Sequence, residues 1–95
     1  MSEIELLELK KTSQFRKDLK RMVKRRADID LLDEIIQTLR EQKPLDPKYR
    51  DHELAGVFVG FRECHIQPDW LLIYRIEENI LVLALTRTGS HSDLF

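Results

Sequence analysis

The first half of the chain has apolar residues at helical spacing. Apolar side chains recur every three or four positions in 14–26 and again in 30–42, which predicts two amphipathic helices. Ser13 precedes the first segment and is its expected N-cap, and Asp28 or Asp30 can cap the second. Because the connection between them is short, the two helices should form an antiparallel hairpin.

Shorter apolar segments, typical of β-strands, lie on either side of this hairpin. Residues 3–9 predict a first strand, and three more are predicted after the helices, at 57–66, 70–77 and 80–87. Turn-forming residues separate the last three strands at Gln67–Asp69 and Glu78–Asn79. The order β-α-α-β-β-β predicts a single α+β domain over residues 1–95, with an antiparallel sheet packed against the N-terminal helical hairpin.

The composition is that of a soluble globular protein. Of the 95 residues, 42% are hydrophobic and 35% are charged, a balance that permits a core and disfavours disorder. The single cysteine excludes an internal disulfide, and the apolar runs are far shorter than the ~20 residues that span a bilayer. The N-terminal segment lacks the pattern of a signal peptide. We therefore expect a cytoplasmic protein with no membrane partner.

Charge is distributed unevenly, although the net charge is only −1. Residues 10–26 contain nine lysines and arginines and a single acid, Asp18. Such a block can be a solvated helix face, but it can also attract a polyanion such as RNA. Within it, Lys17 and Arg21 are candidates for contact with the substrate.

All three histidines, His52, His65 and His91, lie in the second half of the chain among polar or turn residues. Histidine can both accept and donate a proton near neutral pH. Metal-independent RNA cleavage needs a base for the 2′-hydroxyl, an acid for the leaving 5′-oxygen, and a cation beside the phosphorane. Nearby acidic residues and one arginine complete the candidate catalytic set: Glu63, Asp69 and Arg87.

The predicted strands bring most of this set together. Glu63 and His65 are two positions apart on one strand and therefore share a face. The Gln67–Asp69 turn should lie at the same edge of the sheet as the end of the last strand, which carries Arg87. His91 follows shortly afterwards, in a Ser90–Asp93 segment that resembles a capping box. Each residue also has a structural alternative, such as a surface ion pair for Arg87 or a turn role for Asp69.

Four other features allow more than one interpretation. Trp70 is either a core residue or a platform for an RNA base, and Phe95 either covers the edge of the core or stacks on a base. Cys64 points away from its neighbour His65, so a core role is favoured over a nucleophilic one. The histidines and an aspartate are acceptable metal ligands, but no metal-binding spacing appears, so we expect no metal and no cofactor.

Three motifs occur in order along the second half of the chain. They are LDPKYRDHELAG (45–56), GFRECHIQPDWLLIYRI (60–76) and LTRTGSHSDLF (85–95). Together they closely resemble the YafQ-like branch of the RelE/ParE toxin superfamily, and the similarity extends over nearly the whole chain.

This resemblance implies the toxin of a bacterial type II toxin–antitoxin system, an endoribonuclease that cuts mRNA in the ribosomal A site without a cofactor. The residues that match the family's site are His52 in the first motif, His65 and Asp69 in the second, and Arg87, His91 and Phe95 in the third, with Glu63 implicated in some relatives. A cognate antitoxin is the implied partner besides the ribosome and mRNA, and operator DNA is an implied partner of the toxin–antitoxin pair. Two alternatives stay open: a non-catalytic toxin of the gyrase-poisoning type, and a metal-dependent nuclease that acts on free RNA.

Overall fold

A computed structural model describes residues 5–95 and confirms the predicted α+β fold class. The helices are α1 (Ser13–Lys24), α2 (Ile29–Arg40) and α3 (His91–Leu94), and the strands are β1 (Glu8–Lys11), β2 (His52–Glu53), β3 (Arg62–Gln67), β4 (Trp70–Glu77) and β5 (Val82–Gly89). Short 3₁₀ turns occupy Pro47–Tyr49, Gly56–Phe58 and Glu78–Ile80. No helix within residues 5–95 is long and apolar enough to cross a bilayer.

The strands form one five-stranded sheet in the order β1-β5-β4-β3-β2. Strands β2 to β5 pair with their neighbours in antiparallel fashion, as predicted, whereas β1 runs parallel to β5 and makes the sheet mixed. The first strand lies later than the predicted 3–9: it begins at Glu8, and residues 3 and 4 lie outside the described part of the chain. Leu7 is fully buried and its N–H binds the Arg40 carbonyl at 2.9 Å, so the chain reaches the sheet only after this contact with the end of α2.

Side-chain caps mark the residue at which each of the three helices begins. The prediction of Ser13 as N-cap of α1 is wrong by one residue, because Thr12 Oγ1 accepts the Phe15 N–H at 3.0 Å. Thr12 has the advantage that the same hydroxyl donates to the Thr86 carbonyl on β5 at 2.8 Å. Asp28 caps α2, one of the two residues expected there, and Ser90 with Asp93 forms the expected capping box of α3.

The strand predicted at 57–66 is shorter than expected. Its first residues form a 3₁₀ turn, and β3 begins only at Arg62. Val57 and Val59 are 94% and 73% exposed, so this apolar run does not enter the core. Part of the predicted loop before it instead forms β2, in which His52 pairs with Glu63. The strand predicted at 70–77 is confirmed, whereas β5 runs from Val82 to Gly89 rather than over 80–87, because a 3₁₀ turn takes the first positions.

The two faces of the sheet have different cover. Helices α1 and α2 pack on one face over the main core, which includes Phe15, Leu32, Ile35, Cys64, Leu72, Tyr74 and Leu85. Leu94 of α3 packs on the other face against Leu71 and Ile73, with partly buried side chains from the loop before β3. The core role expected of Cys64 agrees with its complete burial, which raises the pKa of its thiol to about 12. The second face is therefore only partly covered, and its remainder is available to polar side chains.

A β-bulge in β5 decides which face Arg87 occupies. Tyr74 pairs with Leu85 while Ile73 pairs with Arg87, so Thr86 is an extra residue in the ladder. Without the extra residue, Arg87 would share the helix-covered face with Leu85, because alternate strand residues point the same way. The bulge places Arg87 level with Ile73 and Glu63, on the partly covered face.

Trp70 belongs to the core, which corrects its inclusion among the substrate-binding candidates. The ring is 2% exposed, and its Nε1–H donates to Thr88 Oγ1 at 2.9 Å. Thr88 Oγ1 in turn donates to the Leu71 carbonyl at 2.7 Å. A base cannot stack on Trp70 while these contacts hold.

We expect Thr88→Val to destabilise the protein by about 1–3 kcal/mol, because it leaves the buried Trp70 N–H and a buried carbonyl without partners. Thr86→Val is the matched control, since the Thr86 hydroxyl makes only a 3.5 Å contact. Urea unfolding followed by tryptophan fluorescence would measure both. Equal losses of stability in the two variants would contradict the role assigned to Thr88.

Candidate active site

Three histidines form a row across the partly covered face of the sheet. The ring centroids of His52 and His65 are 6.2 Å apart, and those of His65 and His91 are 5.7 Å apart. The Glu63 carboxylate lies between the first two, with Oε1 3.7 Å from His52 Nε2 and 3.4 Å from His65 Nε2. The shared strand face predicted for Glu63 and His65 is thus present, and the short strand β2 brings His52 to it. We call these four side chains together with Asp69 the histidine row.

Asp69 holds His91 at the end of the row. Its Oδ1 accepts the His91 backbone N–H at 3.0 Å and lies 2.7 Å from His91 Nδ1. The backbone hydrogen bond, then the imidazole, keeps the pKa of Asp69 below its ordinary value, so the carboxylate is ionised at neutral pH. An ionised carboxylate can only accept, which places a proton on Nδ1 and leaves Nε2 as the atom that exchanges protons.

His52 is oriented in the same way by a backbone carbonyl. Its Nδ1 lies 2.7 Å from the Arg50 oxygen, which can only accept a hydrogen bond, so Nδ1 carries the proton. The other nitrogen, Nε2, is the one that faces the buried Glu63 carboxylate.

Arg87 stands at the edge of this face, held by a carboxylate that sequence analysis did not identify. Asp18 on α1 is fully buried and accepts from Arg87 Nε at 2.7 Å and from Nη2 at 3.2 Å. The Thr88 N–H and the Gln14 amide also donate to it, at 3.2 Å and 3.1 Å. Burial raises the pKa of Asp18, but these hydrogen bonds outweigh burial and hold it below its ordinary value.

The position of Arg87 is therefore compatible with both of its interpretations, an ion pair that stabilises the fold and a cation that meets the substrate's phosphate. Its carboxylate pair uses Nε and Nη2, while the side chain stays 25% exposed and can still reach an anion. The spacing of Asp18 was a signal that could have revealed its role. It lies three residues after Phe15 and four before Met22, both of which are buried on α1, so the only acid of the basic segment is on the core side of the helix.

A second aspartate fastens α3, and with it His91, to α1. Asp93 accepts from Arg25 at 2.6 Å and 3.1 Å, and Arg21 Nη1 lies 3.5 Å away. These contacts, first of all the Arg25 hydrogen bond, hold the pKa of Asp93 well below its ordinary value. Gly89 makes the approach possible, because a Cβ at that position would lie 2.9 Å from Asp93 Oδ2.

The other substrate-binding candidates lie around the row. Phe95 is 64% exposed, with its ring centroid 5.8 Å from that of Phe58, so it both covers an apolar edge and offers a ring to solvent. Lys17 and Arg21 are exposed on α1, although Arg21 contributes to the Asp93 cluster. Within residues 5–95, no group of three or more histidine, cysteine or acidic side chains is arranged to hold a metal ion.

The fold and the histidine row define a small α+β protein with oriented proton-exchanging groups on an open face. A family model described as bacterial toxin of type II toxin-antitoxin system, YafQ, matches residues 7–95. The mRNA interferase toxin YafQ of Escherichia coli K12 is 38% identical over 85 residues, covering 88% of this chain and 90% of the relative.

Solved structures agree with this match. A metal-bound toxin from Helicobacter pylori is 46% identical, with a TM-score of 0.90 over 95% of this chain and 100% of the other. The Escherichia coli DinJ–YafQ toxin–antitoxin complex contains a chain that is 35% identical, with a TM-score of 0.85 over 95% of this chain and 98% of the other. The chain therefore belongs to the YafQ family of toxins from bacterial type II toxin–antitoxin systems, which confirms the family predicted from its motifs.

We expect Asp18→Asn to destabilise the protein by about 2–4 kcal/mol at neutral pH, because it removes the charge that compensates Arg87. Since the folded-state pKa of Asp18 is lowered, its contribution is complete above the ordinary value of about 4 and is lost as the pH falls through the folded-state value. The difference in the free energy of unfolding between parent and variant, measured by urea unfolding, should therefore become smaller below about pH 4.

Asp33→Asn is the control for this experiment, because Asp33 is exposed on α2. It should leave the stability within about 0.5 kcal/mol of the parent. If the difference in unfolding free energy between the parent and Asp18→Asn stayed constant down to pH 2, it would contradict an ionised, hydrogen-bonded Asp18.

Proposed function

We propose that this toxin is a ribosome-dependent endoribonuclease that cleaves mRNA by metal-independent acid–base catalysis in the histidine row. The single observation that carries the proposal is the arrangement of three imidazoles in succession, two of them oriented through Nδ1 by an acceptor. The names of the curated relatives, mRNA interferase toxins, support the substrate class.

The reaction needs one group to take the 2′-hydroxyl proton and another to protonate the leaving 5′-oxygen. His91 and His65 serve as this pair, in either order, because their rings are 5.7 Å apart and line the same cleft, so that both can face one phosphodiester. Asp69 keeps His91 Nε2 directed to the substrate, and Glu63 Oε1 lies 3.4 Å from His65 Nε2, where it can orient the ring. The attack of the 2′-oxygen on phosphorus expels the 5′-oxygen and gives a 2′,3′-cyclic phosphate and a 5′-hydroxyl.

The remaining residues stabilise charge and place the nucleotide. Arg87, oriented by Asp18, supplies a fixed positive charge for the phosphorane, where preorganised charge is most effective. His52, at the other side of Glu63 from His65, helps to place the nucleotide. Phe95 offers its exposed ring to a base.

Partners follow from the charge distribution and from the relatives. The basic face of α1 meets ribosomal RNA phosphates through Lys17 and its neighbours, contacts that position the toxin without reading sequence. A cognate antitoxin covers the active face in the inactive complex, as the existence of a solved DinJ–YafQ complex suggests. We further propose that the complex of this toxin with its antitoxin binds operator DNA.

We expect His91→Ala to lower mRNA cleavage by at least a hundredfold, the usual loss when a general acid or base is removed. Asp69→Asn should lower it less, about tenfold, because the imidazole remains but loses its charged acceptor. Primer extension on mRNA from a bacterial translation extract would measure cleavage at A-site codons. The exposed Asn79→Ala is the control.

Three results would contradict the proposal. Cleavage of ribosome-free RNA at the same sites would remove the ribosome dependence, and if EDTA then abolished the cleavage of this free RNA, a metal-dependent nuclease would be indicated. Stalled translation with intact mRNA would indicate a toxin that acts by binding, and gyrase inhibition would then be tested.

We expect Lys17→Ala to weaken ribosome binding and to reduce the slope of log affinity against log salt by about 0.7–0.9 if one phosphate contact is lost. Lys43→Ala is the control, because Lys43 lies after α2 and is paired with Glu41 at 3.0 Å. Sedimentation with 70S ribosomes at several salt concentrations measures both slopes. An unchanged slope for Lys17→Ala would contradict a phosphate contact at this residue.

A further inference from the structure

A cleft of about 590 Å³ opens beside the histidine row, at the end of β3. His65 and His91 form one wall, and the 3₁₀ turn that contains Lys48 and Tyr49 forms the other, followed by Arg50. Leu31 of α2 contributes apolar surface. The volume lies within the range of about 300–1,000 Å³ that is usual for small-ligand sites.

The cleft holds two cations that other residues do not neutralise. Among the described residues 5–95, Lys48 and Arg50 take part in no ion pair, and both are exposed. The arginines elsewhere around the active face are mostly bound by aspartates: Arg62 by Asp51, Arg87 by Asp18, and Arg25 by Asp93. The charge that is free to meet an anion beside the histidines is therefore concentrated in this wall.

This wall is built rigidly and is connected to the histidine row. Asp46 caps the 3₁₀ turn by accepting the Lys48 N–H at 3.0 Å, and Arg50 has a left-handed backbone with φ of 50°. The Arg50 carbonyl is the oxygen that orients His52 Nδ1. The short segment 48–52 thus positions two cations and the His52 imidazole. The cleft and the histidine row are therefore held next to each other by the same stretch of chain.

The surroundings of the histidine row also differ in chemistry from place to place. His65 and His91 line the cleft, while the aromatic pair Phe58 and Phe95 does not belong to its lining. A strand of RNA that crosses the row between these places has its scissile phosphate at the imidazoles and one nucleotide on either side.

We propose that the cleft is a nucleotide subsite, which takes the nucleotide next to the scissile phosphate. Its base lies against the apolar surface of Tyr49 and Ile66, and its outer phosphate meets Lys48 and Arg50. This inference rests on the proposed function, because it assumes that the adjoining histidines cut RNA.

The experiment uses the full chain and a trinucleotide RNA with 2′-O-methyl groups, which cannot be cleaved because the attacking hydroxyl is blocked. Methyl NMR signals of Leu31 and Ile66 should shift on titration, together with the His65 and His91 ring signals. In the Lys48→Gln/Arg50→Asn double variant the Kd should rise at least tenfold. These substitutions keep the lysine stem's bulk and use asparagine, which tolerates a left-handed backbone.

The matched control is the Lys43→Gln/Arg75→Asn double variant, which removes one lysine and one arginine far from the cleft lining. Its Kd should stay within twofold of the parent. Equal weakening in the two double variants, or shifts confined to the signals of Phe58 and Phe95, would overturn the subsite, as would the absence of any shift at millimolar RNA. Thermal unfolding of every variant separates lost binding from lost folding.

Cleavage in the translation extract distinguishes this inference from the proposed function. A parent protein that cuts mRNA, with a cleft variant that cuts at the parental rate and KM, would overturn the subsite and leave the nuclease standing. A parent protein that does not cut mRNA but binds the trinucleotide through Lys48 and Arg50 would overturn the nuclease and leave a nucleotide-binding cleft.

Discussion

The buried Asp18 carboxylate is the constraint on which the arrangement of the active face depends. It lies at the core side of an otherwise basic helix and receives hydrogen bonds from Arg87, from the Thr88 backbone and from Gln14. A buried carboxylate without partners would be strongly destabilising, so helix α1 can pack on β5 only where these donors are present. The end of β5 after the bulge at Thr86 carries two of these donors, since the Arg87 guanidinium and the Thr88 N–H both bind this carboxylate. The position of α1, the bulge in β5 and the orientation of Arg87 therefore depend on one another.

Aspartates perform a comparable task elsewhere on the molecule. Asp51 accepts from Arg62 and from the buried hydroxyl of Tyr74, whose pKa is raised by burial and by this carboxylate, and it directly precedes His52. Asp93 binds Arg25 across the gap between α3 and α1. Each pair neutralises an arginine and fixes a segment that carries a histidine. A net charge near zero is therefore compatible with a local excess of positive charge where cations lack such partners.

The sequence indicated the fold class because its apolar periodicity is strong in the parts that form the core. Phe15 and Leu32 on the helices, and Leu72 on β4, lie where that pattern places them. The predicted boundaries of helices and strands were wrong in two situations. One is an exposed apolar residue, such as Val57, and the other is a pair of neighbouring hydroxyls that can both cap a helix, such as Thr12 and Ser13. Neither outcome is set by local pattern, because both depend on contacts with distant segments.

The candidate site was predictable in part for the same reason. Strand alternation was enough to place Glu63 beside His65, and a turn was enough to bring Asp69 towards the chain's end. The positioning roles of Asp51 and Asp93 could not be read from the sequence, since their partners lie 11 and 68 residues away. Their pairing depends on which strands are neighbours and on how α3 lies over the sheet.

Two of the three histidines, His52 and His91, lie on elements that are too short to be stable alone. Strand β2 has two residues and α3 has four, whereas isolated helices need about 12–15 residues to be even marginal. Their positions therefore derive from side-chain bonds and a few apolar contacts: Asp93 and Leu94 for α3, and Asp51 for the segment leading into β2. The sheet beneath them is buried and carries His65 directly on β3, but His52 and His91 are attached to it by polar pairs near the surface. It follows that the geometry of this site is more sensitive to loss of a single aspartate than the fold is, and that catalysis can be lost while the core stays intact.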